Sequence, residues 1–188
     1  MDSDSIRTME GDTIQSPALP KIKIKISNNW IYIAKMQLLM DHDRCSEQFV
    51  LLDTNSTGHV THLLLVQFEG FIGFNRTYTE LTGPTVRMGG QDYVSMVSAF
   101  DVHQLFNEHP LHEISPVFDH IGRRGYTIAG MMVMQRFARI VDESRRNLIY
   151  IDYLERADGS VPVETLISDE AARQALLARA QKQFTILE

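Results

Sequence analysis

Two apolar runs, residues 127–141 and 148–154, flank the polar hexad Asp142-Glu143-Ser144-Arg145-Arg146-Asn147, and how the first run folds decides the architecture. Read as a strand, it returns through the hexad into the second run. Val133, Phe137, Ile140 and Val141 on one arm, and Ile149, Tyr150, Ile151 and Tyr153 on the other, are the β-branched and aromatic side chains that suit a pleated surface. Read as a helix, it gathers Val133, Phe137, Ile140, Val141 and Ser144 on one side, against Gln135, Arg136, Arg139, Asp142, Glu143 and Arg146 on the other. The hairpin is favoured, because residues 148–153 read only as a strand and a strand needs a neighbour. Its expected register sets Val141 opposite Leu148, Ile140 opposite Ile149 and Arg139 opposite Tyr150, with both isoleucines buried.

The rest of the chain follows the same logic. Residues 21–26 alternate lysine with isoleucine, so Ile22, Ile24 and Ile26 share one face and three lysines the other, the pattern of a charged edge strand. Trp30, Tyr32, Ala34, Met36, Leu38 and Met40 form a second apolar row. Residues 47–52 and 60–68 bracket the turn-rich 53–58, which predicts a hairpin. Further strands are expected at 74–81 and 93–100. Period-two spacing is lost from 101 to 125, where Pro110 and Pro116 divide short helical pieces, with Ser115 as a cap. Ser168, Asp169 and Glu170 ahead of an alanine-rich run predict a helix over 169–183. The expected architecture is therefore α+β: a curved, mainly antiparallel sheet or partial barrel, short helices at 102–122 and a C-terminal helix. Residues 1–19, acidic and poor in large apolar groups, read as a disordered leader before a single domain at 20–188.

Composition narrows function mainly by exclusion. A formal charge of −6 repels a phosphate backbone, and the basic pairs Arg123-Arg124 and Arg145-Arg146 are isolated, so a nucleic-acid partner is not expected. No apolar stretch reaches membrane-spanning length, and a single cysteine suits a reducing compartment; a cytoplasmic protein without a membrane partner is the expectation. Neither a Walker A run nor a dinucleotide-binding glycine motif is present, and no cofactor is expected.

One segment has the residue types for metal chemistry. His103, His109, His112 and His120 fall within 101–120 with Asp101, Glu108, Glu113 and Asp119, and imidazole plus carboxylate is a zinc or iron ligand set. Its spacing opposes convergence, because Pro110 interrupts His109 and His112, and Pro116 stands where a second helical ligand belongs. Asp41-His42-Asp43 reads as a turn. His59 and His62 are expected to face opposite ways along a strand. Cys45 beside Arg44 and His42 lacks the surroundings of a nucleophile. The leading expectation is a non-catalytic binding or interaction protein with a protein or small-molecule partner, a homo-oligomer being compatible with it. The alternatives are a metal-dependent enzyme using 101–120, and a barrel whose Trp30, Met36, Phe68, Phe100 and Phe137 line an apolar pocket.

Overall fold

The computed structural model describes residues 6–27, 29–40, 43–73, 75–108 and 114–187. In chain order its elements are β1 (Thr8–Glu10), β2 (Thr13–Ser16), β3 (Ile22–Ile26), β4 (Ile31–Met40), β5 (Arg44–Thr54), β6 (Val60–Phe71), β7 (Thr85–Met88), β8 (Gln91–Asp101), α1 (Val102–Glu108), α2 (Ser115–Arg123), β9 (Met131–Ile140), β10 (Asn147–Arg156), α3 (Val163–Ser168), α4 (Glu170–Gln181) and β11 (Phe184–Leu187). The strands make two antiparallel sheets, a large one ordered β4-β5-β6-β10-β9-β8-β7 and a small one ordered β1-β2-β3-β11. The α+β expectation holds, with the C-terminal helix in place.

Neither sheet closes into a barrel. The near-continuous apolar runs of β5 and β6 have a simple cause: both faces of these central strands are covered. Phe49, Leu51, Leu64 and Val66 face the small sheet, which buries Ile14, Ile22, Ile24 and Ile26 against them. Val50, Leu52, Leu63 and Leu65 face the other way, under Val102 of α1 and Val117, Phe118 and Ile121 of α2. The five residues proposed to line one barrel interior are divided between these two cores, Trp30, Phe68 and Phe137 in the first and Met36 and Phe100 in the second.

The long hairpin forms, with a register one residue from the expected one. Ile140 stands opposite Leu148 and Arg139 opposite Ile149. A one-residue slip exchanges faces, so Ile149 is fully buried between the sheets, whereas Ile140 lies on the opposite face and is only half-buried. The turn sets this register. Asp142 Oδ1 accepts from the amides of Arg146 (3.1 Å) and Asn147 (2.8 Å), and the Val141 amide donates to the Asn147 carbonyl at 3.0 Å.

Other expectations need correction. Residues 8–16 are not a disordered leader but two strands of the small sheet, with Ile14 wholly buried. Burial of one isoleucine is reinforced by charge: Arg7 Nη1 lies 2.9 Å from Glu47 Oε2, Nε donates to Ser16 Oγ at 3.0 Å, and the guanidinium covers the Phe68 ring at 4.5 Å. β3 is consequently an interior strand between β2 and β11, not an edge. Residues 75–84 form no strand; they run as irregular chain tied down by Tyr78, whose amide donates to the Arg145 carbonyl at 2.7 Å. In the C-terminal region α3 and β11 are additions, and Asp169, not Ser168, caps α4 by accepting from the Ala172 amide at 2.8 Å. No helix among the described residues is long and apolar enough to cross a membrane.

Candidate functional site

The histidine segment is only partly on view. His109, His112 and Glu113 lie outside the described residues. His103 is exposed on α1, and His120 sits on α2 with its Nε2 buried and without a hydrogen-bond partner. Nearby acids serve local structure: Asp101 Oδ1 accepts from the Gln104 amide at 3.0 Å, Glu108 accepts from Gln104 Nε2, and Asp119 pairs with Arg123 at 2.8 Å. Among the described residues no group of three or more His, Cys, Asp or Glu could hold a metal ion.

The other sequence candidates also separate. Asp41 and His42 lie outside the described residues, while Asp43 pairs with Arg76 at 2.8 Å. His59 sits in the β5–β6 turn, bridged to Thr127. His62 stacks on Tyr153 with 5.9 Å between centroids, its Nδ1 3.3 Å from Asp53 Oδ2. Cys45 is exposed, but Arg44 turns to the opposite sheet face, where its guanidinium reaches Glu69 Oε2 at 3.2 Å. Arg44 is therefore aimed away from the thiol.

Two features are absent from the sequence reading. The first is a polar belt across the helix-covered face of the large sheet. Gln48 Nε2 donates to Gln67 Oε1 at 2.7 Å, Gln67 Nε2 donates to Glu69, and Tyr78 Oη donates to Glu69 at 3.1 Å. Two strands away, Arg136 grips Asp152 bidentately, Nε to Oδ1 at 2.8 Å and Nη2 to Oδ2 at 2.6 Å, while stacking over Tyr150 at 4.2 Å. Burial raises the Tyr78 hydroxyl well above its ordinary pKa, and the Glu69 carboxylate adds to the rise. These groups spend most of their hydrogen-bonding capacity on one another, Gln48 Oε1 being buried without a partner among the described residues, and lock β5, β6, β9 and β10 together; the cavity of about 220 Å³ beside them is small for a ligand.

The second is a mouth of about 470 Å³ where the two sheets part. The small sheet contributes Ile22 and Lys23 of β3 and Ile186 and Leu187 of β11; Pro17, Leu19 and Lys21 come from the β2–β3 link; Arg139 and Val141 reach in from the end of β9. Its position follows from register. Alternate residues of β9 from Val133 through Phe137 face the intersheet core, and Arg139 continues that row just where the small sheet ends.

Among the described residues Arg139 forms no ion pair. Its guanidinium lies 6.0 Å from the centroid of the fully buried Tyr93, whose hydroxyl is pushed up by burial and pulled back by the cation. Lys21 and Lys23 likewise form no ion pair among the described residues, whereas their neighbour Lys25 is within 3.8 Å of Asp12. Among the described residues the mouth is lined by Arg139, Lys21 and Lys23 and by no acid, on a chain of net charge −6, with Lys23 on the outward face of β3 and Lys21 exposed just before it. Apolar walls with a cationic rim attract a negative head group and shelter a hydrocarbon body.

Gly89 makes the wall possible. At φ +52° it turns β7 into β8, and a β-carbon there would collide with the Ile186 side chain. The sequence signals were faint: one arginine in the core-facing row of β9, and lysines that edge protection explained as well. No family model, curated protein or solved structure matches the chain.

Proposed function

We propose that this chain is a non-catalytic binding protein that holds a small amphipathic anion in the mouth between its sheets. One observation carries the reading: among the described residues, Arg139, Lys21 and Lys23 line a mainly apolar space of about 470 Å³ and no acidic residue does. That volume falls within the range of about 300–1,000 Å³ used by small-molecule sites. The half-buried Arg139 is the principal anchor, since a guanidinium partly withdrawn from water and without an ion pair among the described residues gains most from a carboxylate or similar oxyanion. Leu19, Ile22 and Leu187 take the apolar body. Cations and aliphatic walls offer attraction and burial instead of proton transfer, which is why binding is favoured over catalysis. A cytoplasmic setting belongs to the same reading, with Cys45 reduced.

Thermal unfolding with octanoate, octanol and octylammonium tests it. Octanoate should raise the midpoint in a concentration-dependent way, as any ligand of the folded state does, and octylammonium should not. Arg139→Gln should weaken the octanoate effect about tenfold or more in apparent affinity. Equal stabilisation by octanol and octanoate, or an unchanged response in Arg139→Gln, would refute the anionic seat.

A further inference from the structure

We infer that the outer edge of β4 is a self-association surface, through which two copies of the chain join their large sheets about a two-fold axis. Among the described residues β4 is a ten-residue edge strand that pairs with β5 alone. The other sheet edges are short, three residues in β1 and four each in β7 and β11. Long edges in soluble proteins are blunted by charge, proline or covering chain. β4 has no proline, and its one charged residue is withdrawn: Lys35 Nζ lies 2.8 Å from Glu47 Oε1 and donates to the Arg7 carbonyl at 2.6 Å. Among the described residues no backbone hydrogen bond reaches its outer side.

The occupant is a second copy because the two ends of β4 complement each other. At the N-terminal end Ile31 and Tyr32 are exposed apolar side chains, 38% and 43% accessible. At the C-terminal end a hollow of about 620 Å³ has Ile6, Leu38, Leu39 and Phe68 in its wall beside the charged Arg7, Glu47 and Glu69, with Leu39 64% accessible. A two-fold axis normal to the sheet exchanges strand ends while keeping each side chain on its own face. Tyr32, opposite Leu51, and Leu39, opposite Cys45, do share a face of the sheet. A register centred on Met36 puts Ala34 opposite Leu38 of the second copy and Lys35 opposite Gln37, so the lysines do not meet. The extra residue where the β4–β5 register shifts between Tyr32 and Ala34 then brings Tyr32 opposite Leu39 of the second copy. The net charge of −6 opposes association over most of the surface, but this strip brings no like charges together.

Light scattering of the full chain from micromolar to millimolar concentration tests the inference. The mass should rise from 21.5 kDa to twice that value. Tyr32→Lys and Leu39→Glu change exposed side chains and should leave the fold intact, each weakening the dimer about tenfold or more. Combined in one chain, the two substitutions place Lys and Glu opposite each other twice across the axis and should restore the dimer at low salt. A 21.5-kDa mass at every concentration, or a dimer that neither single substitution weakens, would overturn the proposal.

Discussion

Two glycines with similar backbone angles separate conformational cost from steric cost. Gly11 and Gly89 both lie in the left-handed region, at φ +60° and +52°, but open space surrounds the first while Ile186 lies against the second. Gly11→Ala should lose only the αL penalty of about 1–2 kcal/mol. Gly89→Ala adds overpacking against β11, for a total of about 2–5 kcal/mol. Urea unfolding of both variants checks the difference, and equal losses would show that the β7–β8 turn does not press on Ile186. Tyrosines provide a pH signature at the same scale. Burial first, then Glu69 beside Tyr78 and Glu155 beside Tyr153, raises both hydroxyls. A folded pKa above the unfolded value of about 10 means that this stabilisation is complete below pH about 10 and is lost as pH rises toward the folded values. Tyr78→Phe should flatten the alkaline limb of the stability profile.

At the scale of elements, polar side chains at ends do what apolar patterning cannot. Asp169 caps α4 with its carboxylate, while Ser168 Oγ donates back to the Glu164 carbonyl and terminates α3 instead. Asp169→Ala should therefore destabilise by about 1 kcal/mol, and Ser168→Ala by less, as measured by thermal unfolding. Equal effects would contradict the observed cap. Asp142 plays the corresponding part in the long hairpin. Burial raises its pKa, but hydrogen bonds from Ser144, Asn147 and Arg146 outweigh this and lower it. The unfolded carboxyl titrates near pH 4, so the stabilisation is present above that and disappears as pH falls through the lower folded value.

For the whole molecule, the N-terminal strands are structural. Deleting residues 1–19 removes Ile14 from the intersheet core and Arg7 from Glu47, which is 7% accessible and also binds Lys35. Losing a fully buried isoleucine alone costs about 2–5 kcal/mol, a large part of the 5–15 kcal/mol that holds an ordinary domain folded, while Lys35 still compensates Glu47. Denaturant titration should show the truncated chain weakened by at least that amount, or lacking a cooperative transition. An unchanged midpoint would mean that the two strands contribute nothing to the core.

The strands that carry strict local patterns were determined by sequence alone: the alternating isoleucines of β3, the paired runs of β5 and β6, and the β9–β10 hairpin with its polar turn. Period-two burial and turn chemistry act between near neighbours and are written locally. Tertiary structure decided the rest. Whether residues 8–16 order depends on the contact of Arg7 with Glu47, 40 residues along the chain, and on β3 as a template, neither of which composition reveals. The hairpin register depended on which amides Asp142 captures. The mouth is not written locally because its parts come from β3, β9, β11 and two turns, and only the packing of one sheet on the other brings Arg139 to the same space as Ile22 and Ile186.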